Sequence, residues 1–185
     1  MAELEPPDEL LVLAAILGDF DAFNELVLRY RAAVVRVARA IVGANDAEDV
    51  AQDSFLLAFK ALSSIDDPAR FAAWLSAITR HRALRLKKHA RDEQVRHVAL
   101  DELLVEKVEA LSARSFDDNA QEEVLRALEK LPEQYALIMK LRFLDNMPVK
   151  RIAAFLGIPI STIKWRLHHG KKLLREEVKM LGDKS

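Results

Sequence analysis

The chain has 185 residues, of which 51% are apolar and 31% charged, with a formal net charge of −1 and no cysteine. This is the composition of a globular chain long enough to bury a core, as one domain or two small ones. It excludes a disulfide framework, a thiolate metal site and a Cys nucleophile. No apolar run approaches the roughly 20 residues that span a bilayer, and the acidic N-terminus does not read as a secretory signal. No membrane insertion is expected.

The near-zero net charge conceals strong segregation. Residues 1–79 carry 6 basic and 13 acidic residues, whereas residues 80–91 carry 6 basic and none acidic. Residues 92–118 are acidic again, with 3 bases and 8 acids, and residues 119–185 hold 13 bases and 8 acids. A nucleic-acid binder needs local positive patches more than a high overall pI. Two such patches, separated by an acidic stretch and preceded by another, suggest two DNA contacts and a surface meant for something basic.

In chain order everything reads as helix. Glycines are few, no stretch alternates with period two, and β-branched residues are scattered through helical periodicities. Leu10 to Leu17 reads as a short apolar helix ending at Gly18. Asp21 is placed to cap a long helix with the stripe Phe23, Leu26, Val27, Tyr30, Val34, Val37 and Ile41, closed by Gly43. Arg29, Arg36 and Arg39 lie off that stripe and are expected to be solvated. The next helix starts at Asn45 or Asp46, with Glu48 and Asp49 in its first turn, where the macrodipole favours anions. Ala51, Phe55, Ala58, Phe59 and Leu62 form its core stripe. Asp49, Gln52 and Asp53 form an acidic ridge on another face, either a solvated helix start or a docking ridge for a basic partner helix.

The loop Ser63 to Pro68 follows, with Asp67 as cap and Pro68 at the first helical position. It leads into the segment Phe71 to Arg91. Phe71, Trp74, Leu75 and Ile78 give this helix a core-facing start. Arg80 to Arg91 then supplies a cationic, histidine-bearing second half, which is either a solvated charged face or a nucleic-acid surface. Residues 92–118 read as an acidic, flexible linker with a weak apolar stripe (Leu100, Leu103, Leu104, Val108, Leu111).

A second domain, residues 119–185, opens with Asn119 and Glu122 in capping-box spacing. A helix through Val124, Leu125 and Leu128 runs to Leu131 and Pro132. Another carries Tyr135, Ile138, Met139, Leu141, Arg142 and Phe143, and Asp145 and Asn146 break it. Val149 to Leu156, the turn at Gly157, a cap at Ser161 and a last helix from Thr162 to about Met180 have helix-turn-helix spacing. The second helix of such a motif enters a major groove. Ser161, Thr162, Lys164, Trp165, His168 and His169 are the candidate base or first-turn contacts, and Arg166, Lys171 and Lys172 the phosphate ligands. An ordinary helical hairpin with a basic tail is the competing reading. His168 and His169 are adjacent and point about 100° apart, so they do not chelate one metal easily. His81 and His89 lack zinc-spaced partners. With no phosphate loop or nucleophile elbow either, no metal, cofactor or catalytic residue is expected.

The run Asp46-Ala47-Glu48-Asp49-Val50-Ala51-Gln52-Asp53-Ser54-Phe55, followed by Phe71 through Trp74-Leu75 into the basic helix, resembles region 2 of bacterial sigma factors. Leu131-Pro132-Glu133, Ile152-Ala153, Leu156-Gly157-Ile158-Pro159, Thr162-Ile163-Lys164 and Arg166-Leu167-His168 resemble region 4. Two such regions on a short linker resemble the extracytoplasmic-function (ECF) group. The resemblance implies an all-α protein of two small helical domains: region 2 over 1–91, the linker over 92–118, and region 4 over 119–185. It implies a cytoplasmic, non-enzymatic specificity subunit of bacterial RNA polymerase.

On this resemblance, Asp49, Gln52 and Asp53 would meet the β′ clamp of core RNA polymerase. The loop Ser63 to Pro68 (Ser64 and Asp66 in particular), with His81 and Arg85, would surround an unstacked base of the −10 promoter element. Arg80, Arg82, Lys87 and Lys88 would hold the DNA backbone and help to offset the few kcal/mol of base extrusion. Trp74 reads as core packing, with stacking on separated strands as the alternative. The last helix would read the −35 element, while other surfaces of region 4 rest on the β flap. The acidic linker resembles those threaded toward the RNA exit path. A membrane-bound anti-sigma protein commonly silences members of this group, which makes an anti-sigma factor a candidate partner.

Departures from the family pattern lie at His81 (often Asn), Arg85 (commonly Asp or Asn), Trp165 (usually small) and His169 (often Arg). Arg pairs bidentately with guanine and His does not, so the −35 sequence should differ from familiar ones. The rival function is a stand-alone helix-turn-helix regulator. It explains residues 119–185 equally well but gives no role to the acidic ridge beside a basic helix. A helical adaptor without DNA contact would leave both cationic patches idle.

Overall fold

The structure, a computed structural model, describes residues 5–97 and 118–182. Among these the chain is all helical: α1 (Asp8–Ile16), α2 (Phe20–Val42), α3 (Ala47–Ala61), α4 (Phe71–His97), α5 (Asp118–Lys130), α6 (Glu133–Phe143), α7 (Val149–Leu156) and α8 (Ile160–Gly182). Two 3₁₀ turns, Leu62–Ser64 and Pro68–Arg70, join α3 to α4. The amphipathic stripe expected over residues 100–111 lies outside the described residues, as do the side chains of the Asn119–Glu122 cap.

Local chemistry sets most of the helix ends. Asp19, not Asp21, caps α2, its carboxylate accepting from the backbone N–H groups of Asp21 (3.0 Å) and Ala22 (3.1 Å). Asp21 instead occupies the first turn, where its charge suits the dipole. Asp67 caps the turn before α4 by accepting from the Ala69 N–H at 3.0 Å, with Pro68 behind it. Gly157 ends α7 at φ 68° and ψ 32°, the left-handed conformation that only glycine adopts without penalty. Ser161 is not the cap of α8. Pro159 O already accepts from Ile163 N, so the helix starts earlier and Ser161 lies inside its first turn. At the other boundary α4 runs on to His97, six residues past the end of the basic run.

In the first unit, α2, α3 and α4 pack around Leu26, Tyr30, Val34, Phe55, Phe71 and Leu75, with α1 laid across α2. In the second, α6, α7 and α8 close over Ile138, Leu141, Ile152, Phe155, Ile163 and Leu167. Gly170 lets α8 lie close on α6, since a Cβ there would stand 3.1 Å from Met139 Cγ. Phe59, expected in the core, is 40% exposed and meets Phe23 edge-on at 5.0 Å.

The two units share one apolar cluster. Phe155 of α7 is fully buried and stacks on Tyr30 of α2 (5.7 Å between centroids), which in turn meets Phe71 of α4 edge-on at 5.8 Å. Here two of the three arginines expected to be solvated are engaged. Arg36 grips the Asp145 carboxylate with two N–H groups, one of them at 2.6 Å. The Arg29 side chain is only 5% exposed and donates to Asp8 (2.9 Å), Glu25 (2.8 Å) and the Pro6 carbonyl (2.6 Å). Both sit at the edge of the buried stripe, so the long stem packs against the core while the guanidinium finds carboxylates distant in sequence. Arg39 is exposed as expected.

Candidate nucleic-acid interface

Three surfaces carry the predicted residues. The first is on α3. Asp49 and Gln52 are exposed and Asp53 is half-buried, so they share the outward face opposite Val50, Ala51 and Ser54. Leu56 continues that face and is 52% exposed. Asp53 is not free: Arg82 of α4 donates to its Oδ2 from Nε (2.8 Å) and Nη2 (2.5 Å). The ridge is thus tied to the basic helix by one ion pair between side chains 32% and 41% exposed.

The second surface starts at the α3–α4 connection. Ile65, Asp66, Asp67, Arg70, Ala73, Trp74 and Ala77 line an open cleft of about 320 Å³. Its lining carries two carboxylates (Asp66 and Asp67), a guanidinium (Arg70) and an aromatic ring (Trp74). Trp74 is half-buried with its ring 6.0 Å from Phe71, so it packs on the core as expected, and it also lines the cleft. Ser64 is exposed nearby, its hydroxyl donating to the Ala61 carbonyl at 2.6 Å. At about 100° per residue, Trp74, Ala77, His81, Arg85 and Lys88 fall on one face of α4. The cleft therefore opens at the head of a cationic stripe. Arg80 and Lys87 flank it on one side, and Arg82 leans away on the other toward Asp53. Arg70, Ala73 and Ala77 were not among the sequence candidates. The one sequence signal was the helical register that Ala77 shares with Trp74 and His81; Arg70, in the Pro68–Arg70 turn, and Ala73 carried none.

The third surface is α8. Ile163, Leu167 and Gly170 are buried against α6, so the opposite face, with Ser161, Thr162, Trp165, His168, His169 and Lys172, looks outward. Lys164 and Arg166 stand on its two flanks, where backbone phosphates would run beside a helix in a groove. Lys171 is turned back over the Phe143 ring, its Nζ 5.0 Å from the centroid. Trp165 and His169 form a stack, their centroids 5.2 Å apart and their planes within 6° of parallel, beside Tyr135.

No described helix is long and apolar enough to cross a membrane. Comparison with known proteins gives the same two units. Residues 26–94 match the family model for sigma-70 region 2, and residues 121–174 match that for sigma-70 region 4. An ECF RNA polymerase sigma-E factor of Escherichia coli (strain K12) is 30% identical over a 191-residue alignment covering 94% of this chain and 95% of the relative. The ECF RNA polymerase sigma factor SigW of Bacillus subtilis (strain 168) is 27% identical, covering 89% of this chain and 92% of SigW. Among solved structures, CnrH in complex with the cytosolic domain of CnrY is 25% identical, with a TM-score of 0.55, 97% of this chain covered and 99% of that one. The chain belongs to the sigma-70 family, in its ECF group of RNA polymerase sigma factors.

Proposed function

We propose that this transcription initiation factor docks on core RNA polymerase through Asp49, Gln52 and Asp53, captures an extruded −10 base in the cleft beside Trp74, and anchors on the −35 duplex through α8. In this reading residues 1–91 form the docking and melting unit, 92–118 the linker, and 119–185 the duplex-reading unit. Its partners are the β′ clamp, the β flap and promoter DNA, with no cofactor and no catalytic step. An anti-sigma protein joins them because CnrH, similar over nearly its whole length, was solved with the cytosolic domain of a second protein, CnrY.

The observation that carries the reading is the placement on α4. A concave site lined by an aromatic ring, a guanidinium and two carboxylates lies on the same helix face as His81, Arg85 and Lys88. Extruding a base costs a few kcal/mol, and stacking in a fitted pocket with cations along the strand offsets that cost. A duplex-only regulator has no use for such a pocket.

The test is gel filtration of the protein with bacterial core RNA polymerase, followed by transcription from a pooled promoter library on the same sample. Co-elution with new, promoter-dependent transcripts is expected. Absence of co-elution, together with tight duplex binding by the protein alone, would overturn the proposal in favour of a stand-alone regulator.

A further inference from the structure

We propose that Trp165 is a specificity-determining residue that reads the C5-methyl group of one thymine in the duplex facing α8, and that His169 is the positioning residue that holds its ring for that contact. The proposal rests on the reading that α8 enters a major groove.

Trp165 lies at the centre of the outward face of α8, diametrically opposite the buried Ile163, Leu167 and Gly170, and is 57% exposed. Every other outward neighbour is polar or cationic: Ser161, Thr162, His168, His169 and Lys172. Single exposed apolar side chains are ordinary on protein surfaces. This one is not loose, because its indole is stacked on the His169 imidazole at 5.2 Å and 6°, and both rings lie beside the buried Tyr135 (6.3 and 5.4 Å). The stack fixes a broad apolar plane in the middle of a cationic surface. Among the base edges of a B-DNA major groove, the thymine C5-methyl is the one apolar group; the rest of the pattern is donors and acceptors. A rigid apolar plane at the centre of a groove-facing surface therefore selects thymine, while the flanking Lys164 and Arg166 fix register on the phosphates.

The test uses the full chain bound to core RNA polymerase and the duplex recovered from a randomised −35 library. Each thymine of that duplex is replaced singly by deoxyuridine, which removes the methyl and nothing else. One replacement should weaken wild-type binding about fourfold, the worth of one methyl taken from water. Trp165→Ala should bind the thymine and uracil duplexes equally, and Trp165→Phe should keep part of the discrimination. His169→Ala should shrink the thymine-to-uracil ratio, and His169→Phe, which restores a ring for the indole to stack on, should recover it; a general loss of structure would not be rescued in this way. A wild-type preference that persists in Trp165→Ala, or a recovered site without a methyl-sensitive thymine, would overturn the proposal and leave the groove reading standing. Recovery of no sequence preference at all, combined with an α8 unprotected from chemical footprinting, would overturn both.

Discussion

Asp53 offers a sharp test because the structure gives it two jobs that one substitution disturbs and a second separates. It stands on the acidic ridge of α3 and also accepts two N–H groups from Arg82. The two side chains are 32% and 41% exposed, so breaking the pair costs the fold little, about 0.2–1 kcal/mol. A carboxylate that meets a cation in a desolvated protein interface is worth far more, about 2–5 kcal/mol on truncation. Asp53→Ala should therefore weaken binding to core polymerase by about 30-fold or more, while its unfolding free energy drops by no more than about 1 kcal/mol. Arg82→Ala removes the same ion pair from the other end and should show the same small stability loss with core affinity retained. Fluorescence anisotropy of labelled protein titrated with core polymerase, beside urea unfolding of each variant, gives both numbers. If the two variants lose core affinity equally, or Asp53→Ala loses none, the docking ridge does not include Asp53. Binding of an isolated −35 duplex should be the same in both.

Lys164→Ala, on the flank of α8 assigned to phosphates, should weaken promoter and unrelated DNA about equally in competition assays; a loss of about 1–3 kcal/mol confined to the promoter would make it a base reader instead. Phe155→Ala removes a fully buried ring stacked on Tyr30 and should cost about 3–5 kcal/mol in chemical denaturation. A loss below about 1 kcal/mol would mean that the cavity collapses or that the two units do not share this contact. The Tyr30 hydroxyl is held well above its ordinary value of 10.0 by burial and by its hydrogen bond to Asp8. A raised pKa means that the unfolded chain ionises first, so this contribution is complete below pH 10 and lost as pH rises above it. Urea unfolding between pH 8 and 11 should therefore fall more steeply for the wild type than for Tyr30→Phe, and parallel curves would refute the link.

Much of the fold was legible because local rules and tertiary needs agree. The stripe Phe23, Leu26, Tyr30, Val34 and Val37 is buried as its period requires, and Gly43, Asp67–Pro68 and Gly157 end or start helices where their backbone preferences place them. Two cap assignments shifted by a turn or less. Asp19 and Asp21 are both competent acceptors, and only the chain entering α2 from Gly18 decides between them. At α8 the choice between Pro159 and Ser161 was likewise settled by where the first carbonyl points. The arginines were misread for a different reason. A position one residue off an apolar stripe looks solvent-facing in a lone helix, yet Arg29 meets Asp8 and Arg36 meets Asp145, which is 109 positions away. No helical period carries that information, because the partner comes from another element.

The candidate surfaces were legible for the opposite reason, namely that their residues have no work to do in the core. Lys and Arg clustered on α4 and α8 cannot be explained by packing, so charge alone marks the faces. What charge could not show is their internal arrangement. The cleft needs Arg70, Ala73 and Ala77, two of them small apolar residues indistinguishable in sequence from helix filler. Their role emerges only because the connection through Ile65, Asp66 and the Pro68–Arg70 turn lies against the start of α4 and leaves an open cleft there. The same argument explains Trp74. In sequence it belongs to the apolar stripe with Phe71, Leu75 and Ile78, and it does pack there. Its ring is larger than the core position needs, and the surplus becomes the wall of the cleft. A large aromatic at the boundary between a core stripe and a cationic stripe is thus the residue to examine first when a helix has both.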